Sequence, residues 1–327
     1  MNANPQAQID LEHIQRILIL RMGPLGETIL TTPVIRALRI RFPNAHIAYM
    51  VAPAREQLVS ANPYLDEVIT YDICVPKLVY GIMKRAFQMA VVLQPTFRLV
   101  LHIFLARIPF RVGFETNCCS GRLLHVAVPN NTAQHETNRY LDVVRGIGIQ
   151  PDSGEPEMFV DDCAQRWAGG FLAKFRIDSN HPLIGLNPGT GSVSRRWQKE
   201  RFAEIGNLLH RDYNAQIIIT GGPREGSLPY ELADMMGCSP IVLTGTTPMQ
   251  LGAVIQRCRL FISNDTGPMH MSTAVKTPTI ALFGSSDPSR WGPFWNRHTI
   301  IARNSMDEIA VNDVLLAAEK HLSTADR

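Results

Sequence analysis

A lone carboxylate, Glu27, stands in "RMGPLGETILTTP" (21–33), directly after the apolar run "RILIL" (16–20). Gly23 and Gly26 lack the G-x-G-x-x-G spacing of a dinucleotide loop. A phosphate is better served by backbone N–H groups than by a carboxylate, whereas a carboxylate at the carboxyl end of a strand suits a general base. A second stretch, "NPGTGSVSRRWQKERF" (187–202), sets Gly189, Thr190 and Ser192 ahead of Arg195 and Arg196. A guanidinium pairs two phosphate oxygens at once, so this loop suits a diphosphate. A solvent loop with arginines on a helix edge fits the same pattern. The stretch does not match G-x-x-x-x-G-K-[ST], which argues against a P-loop NTPase. In "TGGPRE" (220–225), Glu225 is placed to accept hydrogen bonds from a ribose or sugar hydroxyl, or is an exposed residue of an ordinary βα turn. In "SNDTGPMH" (263–270), a strand ends at Asn264 and Asp265, and Thr266, Gly267 and Pro268 open a helix. Its first N–H groups and the positive end of its dipole form an anion site, and His270 adds a donor one turn in. Asp265 is expected to cap this helix, and a plain Asp-capped packing helix is the alternative.

The elements that must position these residues alternate. Strands are expected at 16–20, 45–52, 67–72, 89–93, 110–114 and 124–129, and helices at 32–42, 55–62, 97–108 and 135–149. A second series has strands at 182–189, 215–223, 240–245, 259–265 and a final one at 277–284. Its helices are expected at 199–213, 225–237, 247–258, 266–276 and 307–322. Such alternation predicts an α/β chain with two doubly wound, Rossmann-like domains. Residues 150–160 carry two prolines, a glycine and three acids, which marks a linker. The boundaries are therefore 1–150, a linker at 151–160, 161–305, and a C-terminal helix at 306–327 expected to pack back on the first domain. Ligands of such sheets bind at the carboxyl ends of the strands.

Composition narrows the class. The 327 residues are 45% hydrophobic, enough for two cores, and the net charge of +3 gives no sign of nucleic acid. Residues 1–150 carry 15 Lys+Arg against 10 Asp+Glu (net +5), and residues 151–327 carry 17 against 19 (net −2). A basic first half suits an anionic partner or membrane face. Cysteines 74, 118, 119, 163, 238 and 258 have no zinc spacing and read as reduced thiols of a cytoplasmic protein. The polar N-terminus lacks the apolar core of a signal peptide. The most apolar region, 87–110, is broken by Pro95, Arg98, His102 and Arg107, so no transmembrane helix is expected.

Taken in order, "LGETILTTP", "NPGTGSVSRRWQKERF", "SNDTGPMH" and "TPTIALFG" resemble the bacterial lipopolysaccharide heptosyltransferases of glycosyltransferase family 9. "RFPNAHIAYMVAP" and "NPYLDEVITYD" are also similar to that family's first domain, so the resemblance runs from about residue 16 to 300. It implies a GT-B fold with an interdomain cleft, and inverting, metal-independent transfer of a heptose or related sugar. The implied donor is a nucleotide sugar, ADP-heptose in known members, bound by the C-terminal domain, with no further cofactor. The implied acceptor is an anionic glycolipid or core oligosaccharide, bound by the N-terminal domain. A cytoplasmic enzyme with peripheral contact to the inner membrane follows.

Residue by residue, the resemblance implies that Glu27 is the catalytic base. It implies that Thr190, Ser192 and Arg195 contact the diphosphate, and that Thr266, Gly267 and His270 hold the leaving group. Asp265 lies near the donor sugar, Glu225 near the ribose, and Arg21, Arg98 and Arg122 are the acceptor contacts. Three departures stand out. Glu27 replaces the family Asp, Pro24 enters the loop, and Arg195 falls at or beside a family Lys. The extra methylene matters, because a misplacement of ~1 Å can cost about two orders of magnitude in rate. Two other readings share the fold: a non-catalytic sugar-nucleotide-binding paralogue, in which Glu27 is no base, and a sugar-nucleotide epimerase. The intact "NDTGPMH" helix and the retained carboxylate favour a transferase, and the basic first domain argues against an epimerase.

Overall fold

The computed structural model describes residues 11–116, 120–295 and 297–323. The chain divides into two compact units between Pro156 and Glu157.

The first unit holds a parallel sheet of β1 (Arg16–Leu20), β2 (His46–Val51), β3 (Glu67–Thr70), β4 (Met89–Val92), β5 (Phe110–Phe114) and β6 (Val126–Val128). Its order is β3-β2-β1-β4-β5-β6. The helices are α1 (Leu25–Leu30), α2 (Thr32–Arg41), α3 (Val75–Lys84), α4 (Phe97–Leu105) and α5 (Glu136–Arg145). Strand side chains alternate between faces. Leu18, Leu20, Ala90 and Val92 therefore pack on one face with Leu78 and Ile82 of α3 and Leu99 and Ile103 of α4. On the other side α2 packs on α5, and α5 on β4 and β5.

The second unit repeats the plan. Its strands are β7 (Leu183–Asn187), β8 (Gln216–Thr220), β9 (Ile241–Leu243), β10 (Leu260–Asn264), β11 (Thr279–Phe283) and β12 (His298–Ala302), ordered β12-β11-β10-β7-β8-β9. Renumbered from its own first strand, this is the order of the first sheet. The helices are α6 (Asp162–Lys174), α7 (Lys199–Tyr213), α8 (Leu228–Asp234), α9 (Pro248–Ile255), α10 (Gly267–Ala274), α11 (Pro288–Trp291) and α12 (Val311–Ser323). The expected fold class, two Rossmann-like doubly wound domains of the GT-B type, is what the chain adopts. Strand order reverses between β1 and β4 and again between β7 and β10, and ligands of doubly wound sheets bind at such switch points.

Several element expectations need correction. Residues 277–284 are not the last strand, because the edge strand β12 follows them. Its half-buried pattern gives a weak apolar signal. Residues 53–58 form a 3-10 turn in place of an α-helix. The short α1 rises inside the stretch read as a loop, and α3 and α6 were not legible as helices. Gly81 weakens the helical signal of the first of these and Gly169–Gly170 that of the second, while Pro76 sits in the first turn of α3 where proline is tolerated. The C-terminal helix was expected to pack back on the first domain. Instead the buried face of α12, Val314, Ala317 and Ala318, joins the second unit's core with Leu209 and Leu282. Cys74, Cys163, Cys238 and Cys258 are free, and burial pushes the Cys258 thiol up to about 12. Cys118 and Cys119 lie outside the described residues.

Candidate active site

At the first switch point, β1 delivers Arg21 and the first turn of α1 delivers Glu27. The two side chains form an ion pair, with Arg21 nearly buried and Glu27 21% exposed. Both pack over Gly23, where a Cβ would stand 2.7 Å from Glu27 Oε2 and 2.8 Å from Arg21 Nε. A side chain here would have to displace the Glu27 carboxylate and the Arg21 guanidinium from their pairing. Pro24 starts α1 as its N-cap residue. Arg21 also donates to the Leu93 carbonyl at 3.4 Å, and the Met22 amide to Gln94 Oε1 at 3.0 Å. These bonds tie the loop after β1 to the one after β4.

Helix α5 supplies the rest of the cluster. Tyr140 donates its hydroxyl to Glu136 Oε1 at 2.9 Å and lies 3.5 Å from Glu27 Oε2. Burial, first among several causes, pushes its phenol well above the ordinary tyrosine range, so the hydroxyl stays a donor. The Arg21 guanidinium carbon stands 5.2 Å from the Tyr140 ring centroid. Arg139 pairs with Glu136, and both are buried. None of these three α5 residues was singled out from the sequence. Their 136, 139, 140 spacing was the available signal, since it places all three on one helix face.

Arg98 and Arg122 are not drawn into this cluster. Arg98, on α4, donates to Tyr71 Oη at 2.9 Å, and Arg122 is exposed in the turn Ser120–Arg122.

At the second switch point, Arg195 and Asp265 span the loops after β7 and β10, 3.3 Å apart. Asp265 is 6% exposed and Arg195 38%, so the carboxylate is fixed and the guanidinium is within reach of solvent. The expected Asp265 cap is not formed. Thr266 is the N-cap residue of α10, with no side-chain cap bond, and Asp265 turns to Arg195 instead. The start of α10 thereby lacks a side-chain acceptor for its first N–H groups, the condition under which a helix start receives an anion. His270 lies buried one turn in. Thr190 is buried in the loop after β7, the Ser192 amide donates to its Oγ1 at 3.5 Å, and the Ser192 and Ser194 hydroxyls pair at 2.9 Å.

Glu225 accepts from the Gly222 amide at 2.8 Å and lies against Gly189, where a Cβ would stand 2.6 Å from its Cγ. The structure therefore brings Glu225 to the Gly189–Thr190 loop. A cavity of about 760 Å³ opens beside these segments, lined by Arg196, Lys199, Glu225, Glu231, Ser285 and Asn304 among others.

A buried polar layer holds these loops. Asn187 donates to Gly189 O and Ser263 Oγ, at 3.3 and 3.1 Å, and accepts from Thr220 at 3.0 Å. Asn264 donates to the Pro188 carbonyl at 2.9 Å and accepts from the Trp197 amide at 3.1 Å. Trp197 is fully buried, and its indole N–H reaches Ile309 O at 3.0 Å. These residues position others, which is why residue type alone did not reveal them. Among the described residues no three His, Cys, Asp or Glu side chains group as a metal site, and no helix is long and apolar enough to cross a membrane.

The family model for glycosyltransferase family 9 (heptosyltransferase) matches residues 75–315. The chain belongs to this family. It is a glycosyltransferase. Among curated relatives, lipopolysaccharide heptosyltransferase 3 of Escherichia coli K12 is 26% identical over 336 residues, covering 91% of this chain and 95% of that protein. A solved family 9 glycosyltransferase of Veillonella parvula superposes with a TM-score of 0.88 at 24% identity, covering 95% of this chain and 98% of that one. The E. coli ADP-heptose LPS heptosyltransferase II gives 0.84 at 22%, covering 96% and 100%. At these identities the structural likeness speaks for the fold, and the family match carries the enzyme class.

Proposed function

We propose that this family 9 enzyme transfers a heptose, or a related sugar, from ADP-heptose to a lipopolysaccharide core or similar anionic glycan. Transfer proceeds with inversion and without a metal or other cofactor. The observation that carries this reading is the split of chemistry between the two switch points. The second unit presents a cation and an uncapped helix start, which suit a diphosphate. The first presents a carboxylate held by an ion pair, which suits proton removal. The names of the E. coli relatives, for lipopolysaccharide heptose transfer and for ADP-heptose, support the donor and the acceptor.

In this reading Arg195 leaves Asp265 to pair diphosphate oxygens, with Thr190 and Ser192 on the same group. The start of α10, at Thr266 and Gly267, with His270, stabilises the charge that builds on the leaving diphosphate. Asp265 and Glu225 take sugar and ribose hydroxyls. Glu27 accepts the acceptor hydroxyl's proton as that oxygen bonds to the anomeric carbon and the bond from that carbon to the diphosphate breaks. One base and one displacement give inversion. Arg21 orients Glu27, and Arg98 and Arg122 meet anionic groups of the acceptor. The enzyme works in the cytoplasm, in peripheral contact with the inner membrane.

A donor panel tests the assignment. ADP-heptose should raise the unfolding temperature and be consumed with an acceptor core, the product gaining one heptose by mass spectrometry. Equal protection by UDP-glucose, or no mass gain with any core acceptor, would reject the donor or the acceptor respectively.

A further inference from the structure

From Ile73 to Phe114 the chain contains six Lys or Arg and no Asp or Glu. This one segment carries the whole positive excess of the first half, and it builds α3 and α4. Both helices lay their buried stripes, Leu78 and Ile82 on α3 and Leu99, Val100 and Ile103 on α4, on the same face of the first sheet. They also pack on each other. Their opposite stripes therefore form one outward surface.

That surface is apolar as well as basic. Tyr80 and Met83 are exposed on α3, Phe97, Phe104 and Leu105 on α4, and Ile73 just ahead of α3 is 85% exposed. Large apolar side chains gathered this way mark a docking face. Lys77, Lys84 and Arg107 are exposed on the same two helices or at their ends. The cations sit beside the rings: Lys84 Nζ is 4.8 Å from the Tyr80 centroid, and the Arg111 guanidinium 5.3 Å from that of Phe104. Aromatic rings and long cationic side chains mixed on one face match the head-group level of a bilayer. There the rings enter the acyl boundary and the cations reach lipid phosphates.

We propose that the α3–α4 surface is the membrane-docking face of this protein, and that its partner is an anionic phospholipid bilayer. The complementarity is the argument: a surface on which the exposed cations of α3 and α4 outnumber the one exposed carboxylate at its edge, Asp72 ahead of Ile73, fits a negative head-group plane, and its apolar residues have no such use against a purely ionic partner. A second copy of this chain would bring the same cations face to face. The proposal deepens the peripheral contact suggested above, and its test needs neither donor nor acceptor, so it can fail while the transfer assignment stands.

The test is co-sedimentation of the full chain with vesicles of phosphatidylcholine, alone or mixed with phosphatidylglycerol, free of any glycolipid. Binding should require the anionic lipid and weaken as salt rises. Neutralising two cations, Lys77→Gln with Lys84→Gln, should weaken it roughly 30-fold. Phe104→Ser with Leu105→Ser should also release the protein, whereas Leu316→Ser, an equally exposed site on α12, should not. Unchanged melting of each variant shows that it is folded. Absence of binding to anionic vesicles, or full binding by both α3 and α4 variants, would overturn the proposal. So would a dimer that the Phe104/Leu105 variant dissociates, because it would assign the face to a second copy.

Discussion

Gly23 has no side chain to spare, because Arg21 and Glu27 occupy the space a Cβ would need. That contact shows how Glu27 is seated: its carboxylate lies over the glycine and against Arg21. The same logic applies at Gly189, where Glu225 lies in the missing side chain's place. Gly189→Ala should displace Glu225 and weaken nucleotide binding, measured by calorimetry with ADP, while leaving unfolding temperature nearly unchanged. Tyr140→Phe removes the hydroxyl shared between Glu136 and Glu27. A neutral hydrogen bond is worth about 0.5–1.5 kcal/mol, so kcat should fall about 3- to 10-fold with ADP affinity intact. A change in ADP affinity would instead give Tyr140 a part in the donor site. Arg195→Ala should weaken ADP binding about 10- to 100-fold, the value of hydrogen bonds to a charged group. Unchanged affinity would move the diphosphate elsewhere.

At the scale of elements, the loops are held from behind. Trp197 joins the Arg195 loop to the end of β10 and to the segment before α12, packing edge-on against Phe202 at 4.9 Å. Trp197→Ala should cost about 3–5 kcal/mol in denaturant unfolding. The linker is anchored as well. Arg36, on α2, bonds to Asp152 at 3.0 Å, to Ser153 Oγ at 2.7 Å and to the Glu155 carbonyl at 3.2 Å. Burial alone would raise the Asp152 carboxyl, but the Ser153 amide and Arg36 outweigh it and hold it below 3.8. A carboxyl lowered on folding stabilises above its unfolded value and loses that contribution as pH falls through its folded one. Asp152→Asn should therefore destabilise near neutral pH, and the difference should shrink as pH falls below the ordinary aspartate range. A difference that grew with acid would contradict the pairing. Legibility follows the same division. Strands such as β1 and β10 were readable as continuous apolar runs, since both their faces are buried. Helix α5 was readable, but not the burial of Glu136, Arg139 and Tyr140. Charged residues on a helix face read as solvated until the packing partner is known. Asp265 was found by type and misassigned as a cap, because the sequence does not show that Arg195 crosses from another loop.

For the whole molecule, one topology is used twice with opposite electrostatic emphasis. The first switch point pairs a buried arginine with a partly exposed carboxylate, and the second pairs a buried carboxylate with a more exposed arginine beside an uncapped helix start. Charge follows: +5 in residues 1–150 and −2 in the remainder, with the positive excess concentrated on α3, α4 and their flanks. ADP at a hundred times its Kd should stabilise the protein by about 2.7 kcal/mol. Hydrogen-exchange protection should centre on residues 187–198 and 264–270. Protection centred on the loop after β1 would reverse the division of labour. The central claim, that Glu27 is the base and takes no part in holding the donor, is met most directly by Glu27→Gln. Transfer should fall by about 10²- to 10⁴-fold while ADP affinity stays at the wild-type value. Turnover within a few-fold of wild type, or a matching loss of ADP affinity, would contradict it.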